Sequence, residues 1–214
     1  MPTAPEEQTA EQFEQRLLRA LKQGAFLALA MRTADFLRVE EVLMRRFPLR
    51  RVSIDQALIP AIKQQAAAAR AQWSVVVRTD TEGNASADWH RLKALVQRAM
   101  PGLRNAIEAA GREGTVLVSN PGLLARYEQM SFFTWLRERV GVPDGIKGAW
   151  VLFPSQSPSP LPMLDGHAIP VLSAAQWARI PDEWVQNLHR GGAPIPLPLS
   201  GEVGARSGPG EGPS

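Results

Sequence analysis

The chain has 214 residues, 44% hydrophobic and 21% charged, enough apolar material for a buried core and too much for disorder throughout. It contains no cysteine, which excludes disulfide frameworks, thiolate zinc sites and a cysteine nucleophile. The formal net charge is only +3, so the sequence pI of about 9.8 reflects arginine in excess of lysine and a single tyrosine. Nucleic-acid binding usually needs a more concentrated basic face.

Residues 1–10 are acidic and polar and lack the basic start and apolar run of a secretory signal. The apolar runs, such as residues 25–31, are too short to span a bilayer. These features predict a cytoplasmic protein with no membrane partner.

Residues 1–9 read as a disordered start. Ala10–Gln23 reads as a helix, because Phe13, Leu17, Leu18 and Leu21 recur at helical spacing and Gly24 can end it. Phe26–Met31 is a short continuous apolar run and reads as a buried strand. Thr33 is placed to cap a helix over residues 34–46. Leu49–Ser53 reads as a second strand, followed by a long alanine-rich helix over residues 54–72. Residues 74–77, with three consecutive valines, suggest a third strand, and 79–87 a loop. A helix follows with Trp89, Leu92, Leu95 and Val96, which Pro101 should interrupt or restart.

Residues 115–118 form the clearest strand, and helices are expected from Pro121 and over 132–140. Residues 149–153 read as another buried strand, 154–162 as a Ser/Pro loop and 169–172 as a last short strand. Short helices are expected over 174–179 and 181–189. From residue 191 the chain is rich in Gly, Pro and Ser and reads as a disordered tail.

Strands alternate with helices, and most of the strands are apolar runs without alternation. That pattern predicts an α/β class fold over residues 10–190. The expected form is a three-layer sandwich with a mostly parallel sheet of about five strands, in a P-loop-NTPase-like topology without the P-loop.

Ligands of such folds bind at the carboxyl ends of the strands. The residues expected there include Arg32, Thr33, Ser53, Asp55, Asp80, Ser119, Asn120 and Ser155. A phosphate loop needs glycines for close backbone approach, then Lys and Ser/Thr. The first strand is followed by Arg32, Thr33, Ala34 and Asp35 instead, and no G-x-G-x-x-G string is present. His90, His167 and His189 are scattered, with no H-E-x-x-H spacing, so neither a metal nor an organic cofactor is implied. Ser119 at a strand end lacks the G-x-S-x-G context of a nucleophile, and Asn120 with Pro121 reads more simply as a helix-capping turn. No catalytic residue is assigned.

Arg32, Asp80, Ser119 and Asn120 remain as a candidate ligand or partner crevice. Asp165 and Gly166 suit a tight hairpin turn. Trp177 and Trp184 would be partner-binding anchors if exposed together. Arg45, Arg46, Arg50 and Arg51 form a basic cluster, a candidate nucleic-acid contact but more simply a solvated helix end.

The string TVLVSNPGLLARY at residues 115–127 resembles a segment of bacterial phage-defence proteins of the BREX and phage-growth-limitation type. So do AWVLFP at 149–154, LPMLDGHAIPV at 161–171, WARIPDEW at 177–184 and residues 187–190. The pattern is similar to the C-terminal accessory region of the large serine/threonine kinase of the type 2 system, over residues 24–190. The kinase domain's own strings, V-A-I-K, H-R-D and D-F-G, are absent. The resemblance therefore implies a non-enzymatic accessory or scaffolding component acting on other proteins of the defence system, with DNA at most an indirect partner. Two alternatives stay open: a degenerate nucleotide-binding or phosphoryl-transfer domain, and a DNA-binding module using the arginine cluster.

Overall fold

The computed structural model describes residues 9–155 and 161–186. The expected N-terminal tail up to residue 8, part of the Ser/Pro loop (156–160), His189 and the tail from 191 lie outside the described residues. Thr9, read from the sequence as part of that tail, instead caps helix α1 (Ala10–Gln23). Its Oγ1 accepts from the Gln12 amide at 3.2 Å, and Gln12 Oε1 accepts from the Thr9 amide at 3.1 Å.

Strand β1 (Phe26–Met31) follows, then a 3-10 turn over Thr33–Asp35 and α2 (Phe36–Arg46). No side chain caps either start, so the cap expected of Thr33 is not made. Next come β2 (Leu49–Ser53), α3 (Ile54–Ala68), α4 (Trp73–Glu82) and α5 (Trp89–Glu113). The middle of the chain continues with β3 (Thr115–Ser119), α6 (Gly122–Arg126) and α7 (Ser131–Arg139). Strand β4 (Gly148–Pro154) precedes a small hairpin of β5 (Met163–Leu164) and β6 (His167–Ala168). Strand β7 (Trp177–Arg179) and α8 (Asp182–Gln186) complete the described elements.

The main sheet has five strands in the order β2-β3-β4-β1-β7. All four strand pairings are parallel. Side chains alternate across it, as a pleated strand requires. Phe26, Ala28, Ala30, Val116, Val118, Val151 and Trp177 enter one core with α3, α5, α6 and α7. Leu27, Leu29, Met31, Leu117, Trp150 and Leu152 enter the other, with α1, α2 and α8. Helices thus cover both faces, and the expected three-layer α/β sandwich is the observed fold.

Further local expectations are overturned, among them the loop begun at residue 79, which α4 continues through to Glu82, and the helix over 174–179, which ends in a strand. Residues 74–77 lie in helix α4, not a strand. Val76 and Thr79 are its buried residues, spaced as a helix needs, and Asp80 is tied to α6 and the residue that follows it. The valine run's strand propensity yields to that tertiary context. Pro101 does not interrupt α5, which runs for 25 residues through it. An interior proline costs about 3 kcal/mol, offset here by burial of Leu95, Val96, Ala99 and Met100 before it and Leu103 and Ile107 after it. Last, the edge strand is residues 177–179, not 169–172. Pro170 has no N–H for a ladder, whereas Ala28, Leu29 and Ala30 pair in register with Trp177, Ala178 and Arg179.

Gly24 lets the chain turn from α1 into β1. Its φ is +61°, and a Cβ there would sit 2.0 Å from the Lys147 carbonyl oxygen. A side chain would therefore force apart the starts of β1 and β4, which are joined by the Ala149 amide and the Ala25 carbonyl at 3.2 Å. Gly24→Ala is expected to cost about 1–3 kcal/mol. Thermal melting should show a drop of several degrees; an unchanged midpoint would contradict the close approach.

Candidate functional site

The carboxyl ends of the strands are where an open parallel sheet presents ligands. After β1 the chain crosses to β2 at the far edge, whereas after β4 it passes β1 to reach β7 on the other side. The reversal falls between β1 and β4, whose ends carry Arg32 and Ser155. The Ser155 amide donates to the Met31 carbonyl at 2.8 Å and ties these two ends together. Arg32 is paired with Asp35 and with Asp182, each at 3.0 Å. The turn where a phosphate loop would sit therefore holds an arginine between two carboxylates.

One step along the sheet, β2 and β3 end side by side, with Ser53 opposite Ser119 in the register. Asn120 has a left-handed backbone, φ 53°, and its side-chain amide donates to Ser53 Oγ at 3.1 Å. It makes no cap for α6, whose first turn has no side-chain cap, so the capping role expected from sequence is replaced by a cross-link between strand ends. Ser119 is fully buried, and its Oγ has no hydrogen-bond partner among the described residues. Asp55, on the first turn of α3, has its pKa pushed up by burial.

Asp80 departs from the crevice predicted for it. It sits on α4, where its Oδ1 accepts from Arg126 Nε at 2.6 Å and from the Tyr127 hydroxyl at 2.9 Å. Arg126 Nη2 also donates to the Asp80 carbonyl. The Arg126 guanidinium lies 5.8 Å from the centre of the Trp89 ring, and Tyr127 stands 5.7 Å from Trp89 on a tilted plane. The structure thus keeps Arg32 at one strand end, Ser119 and Asn120 at another, and moves Asp80 into a separate knot of Arg126, Tyr127 and Trp89. Arg126 belonged to no chemical motif; its place in the string at residues 115–127 and its position just after the β3 turn were the signals that could have drawn attention to it.

Burial pushes the Tyr127 hydroxyl up to about 12, and its hydrogen bond to Asp80 adds to the shift. Arg126 is raised as well, chiefly by its hydrogen bond to Asp80.

The hairpin predicted at Asp165 and Gly166 is present, with φ of 46° and 83° at the two turn residues. With Trp89, Arg126, Glu128, Asn84 and His167, Asp165 lines an open cleft of about 530 Å³.

The tryptophan pair does not form a common surface. Trp177 is 1% exposed in the core of one sheet face, and Trp184 is 3% exposed in the core of the other. Trp184 packs edge-on against Phe13 at 5.1 Å and donates its Nε1–H to Glu14 at 2.5 Å. Both belong to the core because β7 and α8 close the sheet edge.

The basic cluster is largely neutralised. Arg46 pairs with Glu14 at 2.6 Å, Arg50 with Glu113 at 3.0 Å and Arg51 with Glu40 at 2.8 Å, while Arg45 is exposed at the end of α2. Such pairs contribute little to stability, but they offset the positive field that a phosphate backbone would need. Among the described residues no group of three or more His, Cys, Asp or Glu could hold a metal ion, and no helix is long and apolar enough to cross a membrane.

Fold and crevice define a parallel α/β domain whose first strand–helix turn carries an ion-paired arginine in place of a phosphate loop. Over 191 residues the chain is 27% identical to the protein named Probable kinase PglW, from Streptomyces coelicolor. The match covers 85% of this chain, which spans only 12% of that relative's length. No family model matches the chain, and no solved structure matches it.

Tyr127 is the only tyrosine, so its ionisation can be followed by absorbance without interference from another phenol. The folded protein should titrate near 12. Asp80→Ala should lower that midpoint while leaving it above the ordinary value near 10, because burial is the larger cause. A group whose folded pKa is raised stabilises below its unfolded value, and that contribution is lost as pH rises through the folded one. Stability from Tyr127 should accordingly be intact below about pH 10 and disappear by about pH 12. A midpoint unchanged in Asp80→Ala would break the assignment.

Proposed function

We propose that this chain is a non-enzymatic accessory component of a cytoplasmic bacterial anti-phage defence complex of the BREX type, acting by holding partner proteins. Its counterpart in the large kinase of such systems would be the C-terminal accessory region. The similarity to Probable kinase PglW supports the link to that system. The kinase strings are missing from this chain, so phosphoryl transfer is not carried over with the similarity.

The observation that carries the reading is the turn after β1. Arg32 there pairs with both Asp35 and Asp182, and no glycine lets backbone amides approach a phosphate. A positive charge alone could attract an anion, but this one is engaged by two carboxylates. In a parallel sheet this is the position a nucleotide would use first.

Two measurements test the proposal. Titration calorimetry with magnesium and ATP should give no binding up to about 1 mM, the range of weak cellular ligands. Saturable binding lost on Asn120→Ala would instead favour the degenerate nucleotide-binding reading. Affinity capture of the full chain from its native host should recover other proteins of the defence system. A clean monomer with none of them would overturn the accessory role.

A further inference from the structure

The cleft beside the hairpin lies apart from the phosphate-loop position, and its residues form a set that the proposed function does not use. Four pieces of the chain meet there: the 3-10 turn at Gly83 and Asn84, the start of α5 at Trp89, the end of α6 with Glu128 just beyond it, and the hairpin tip at Asp165 and His167. Ala125 and Trp89 supply an apolar floor. The cleft is open and about 530 Å³, suited to a side chain reaching in from a larger partner.

Its charges do not cancel. Arg126 lines the cleft but spends Nε and Nη2 on Asp80. Glu128 lines it too, and pairs with Lys93 at 2.9 Å. Asp165 is exposed and has no ion-pair partner among the described residues. Two cations therefore stand against three carboxylates, leaving one unpaired negative charge at the hairpin tip. At the tip His167 Nδ1 lies 3.2 Å from the Asp165 carbonyl, and both turn residues have left-handed φ angles. Asp165 Oδ2 reaches back over Gly122 at the start of α6, 3.8 Å from where a Cβ would be.

We infer that this cleft binds a cationic side chain, arginine or lysine, presented by a partner polypeptide. The Asp165 carboxylate would accept its N–H groups while the stem lies along Trp89 and Ala125. Charge-assisted hydrogen bonds to a carboxylate are the strong kind, and the long apolar stem of Arg or Lys suits an apolar floor. The inference rests on the reading of the chain as a binding component and assigns that component a recognition site.

The experiment titrates N-acetyl-arginine amide into the full chain and follows the Trp89 indole and His167 signals by NMR. Saturable shifts are expected with a dissociation constant on the order of millimolar, as for one isolated contact. The neutral N-acetyl-glutamine amide should shift neither signal. Asp165→Asn should weaken arginine binding at least about tenfold, the effect of 1.4 kcal/mol. That variant keeps the fold, since asparagine tolerates the left-handed backbone at this position. Equal response to the neutral analogue, tighter binding of inorganic phosphate, or no effect of Asp165→Asn would each overturn the site.

Capture from the native host separates sources of the cation and separates this site from the accessory role. Loss of captured defence proteins in Asp165→Asn supports a polypeptide partner at the cleft. Capture that persists unchanged overturns that partner while the accessory role stands. Failure of the unaltered chain to capture any defence protein sinks the accessory role, and the arginine titration then decides the cleft alone.

Discussion

Strand β1 is buried along all six of its residues, between β4 on one side and β7 on the other. A strand so placed must find a partner for each backbone N–H and C=O in the sheet, because water cannot reach them. It must also fill two cores at once. Phe26, Ala28 and Ala30 face one, and Leu27, Leu29 and Met31 the other. The remaining architecture follows from that demand. The helices after β1 and at both ends of the described chain cover one face, and those between β2 and β4 cover the other. The edge strand β7 completes the ladder on the side left open.

The same constraint sets where chemistry can occur. A strand satisfied on both edges and both faces leaves only its ends exposed, so polar side chains collect at the carboxyl ends. Arg32, Ser53, Ser119, Asn120 and Ser155 all lie there. What differs among them is how each is held. Arg32 is spanned by two carboxylates, Asn120 bridges to Ser53, and the Ser155 amide closes the gap between β1 and β4. These bonds engage the crevice's charged and amide groups with one another, leaving the buried Ser119 Oγ without a partner among the described residues, in contrast to the neighbouring cleft, where Asp165 carries a charge without an ionic partner among the described residues. A surface of the first kind stabilises its own geometry; one of the second kind favours an incoming cation.

Much of the fold was legible because buried parallel strands are continuous apolar runs. Phe26–Met31 and the runs that became β3 and β4 could be read directly, as could the glycine that ends α1 and the turn at Asp165 and Gly166; Leu49–Ser53, with two exposed arginines, was legible from its place between two helices instead. The misread segments share a cause. Val75, Val76 and Val77 have strand propensity, and residues 174–179 look helical, but a strand exists only where a ladder is available. Val76 faces α5 instead of a sheet edge, while Trp177 lies beside Ala28. Pro101 misled for a related reason: burial of one face on both sides of it outweighs the single lost hydrogen bond.

The sequence by itself determined the class of fold, the strands buried on both faces and the lack of a glycine-rich phosphate loop, since each depends on local composition and spacing. The tertiary structure alone decided which side chains meet. Asp80 lies 46 residues from Arg126 and 47 from Tyr127, yet they share one knot. Trp177 and Trp184 are seven positions apart but are buried on opposite faces of the sheet. Pairings of this kind are set by the crossover of the chain and the packing of helices on the sheet, and no local periodicity encodes them.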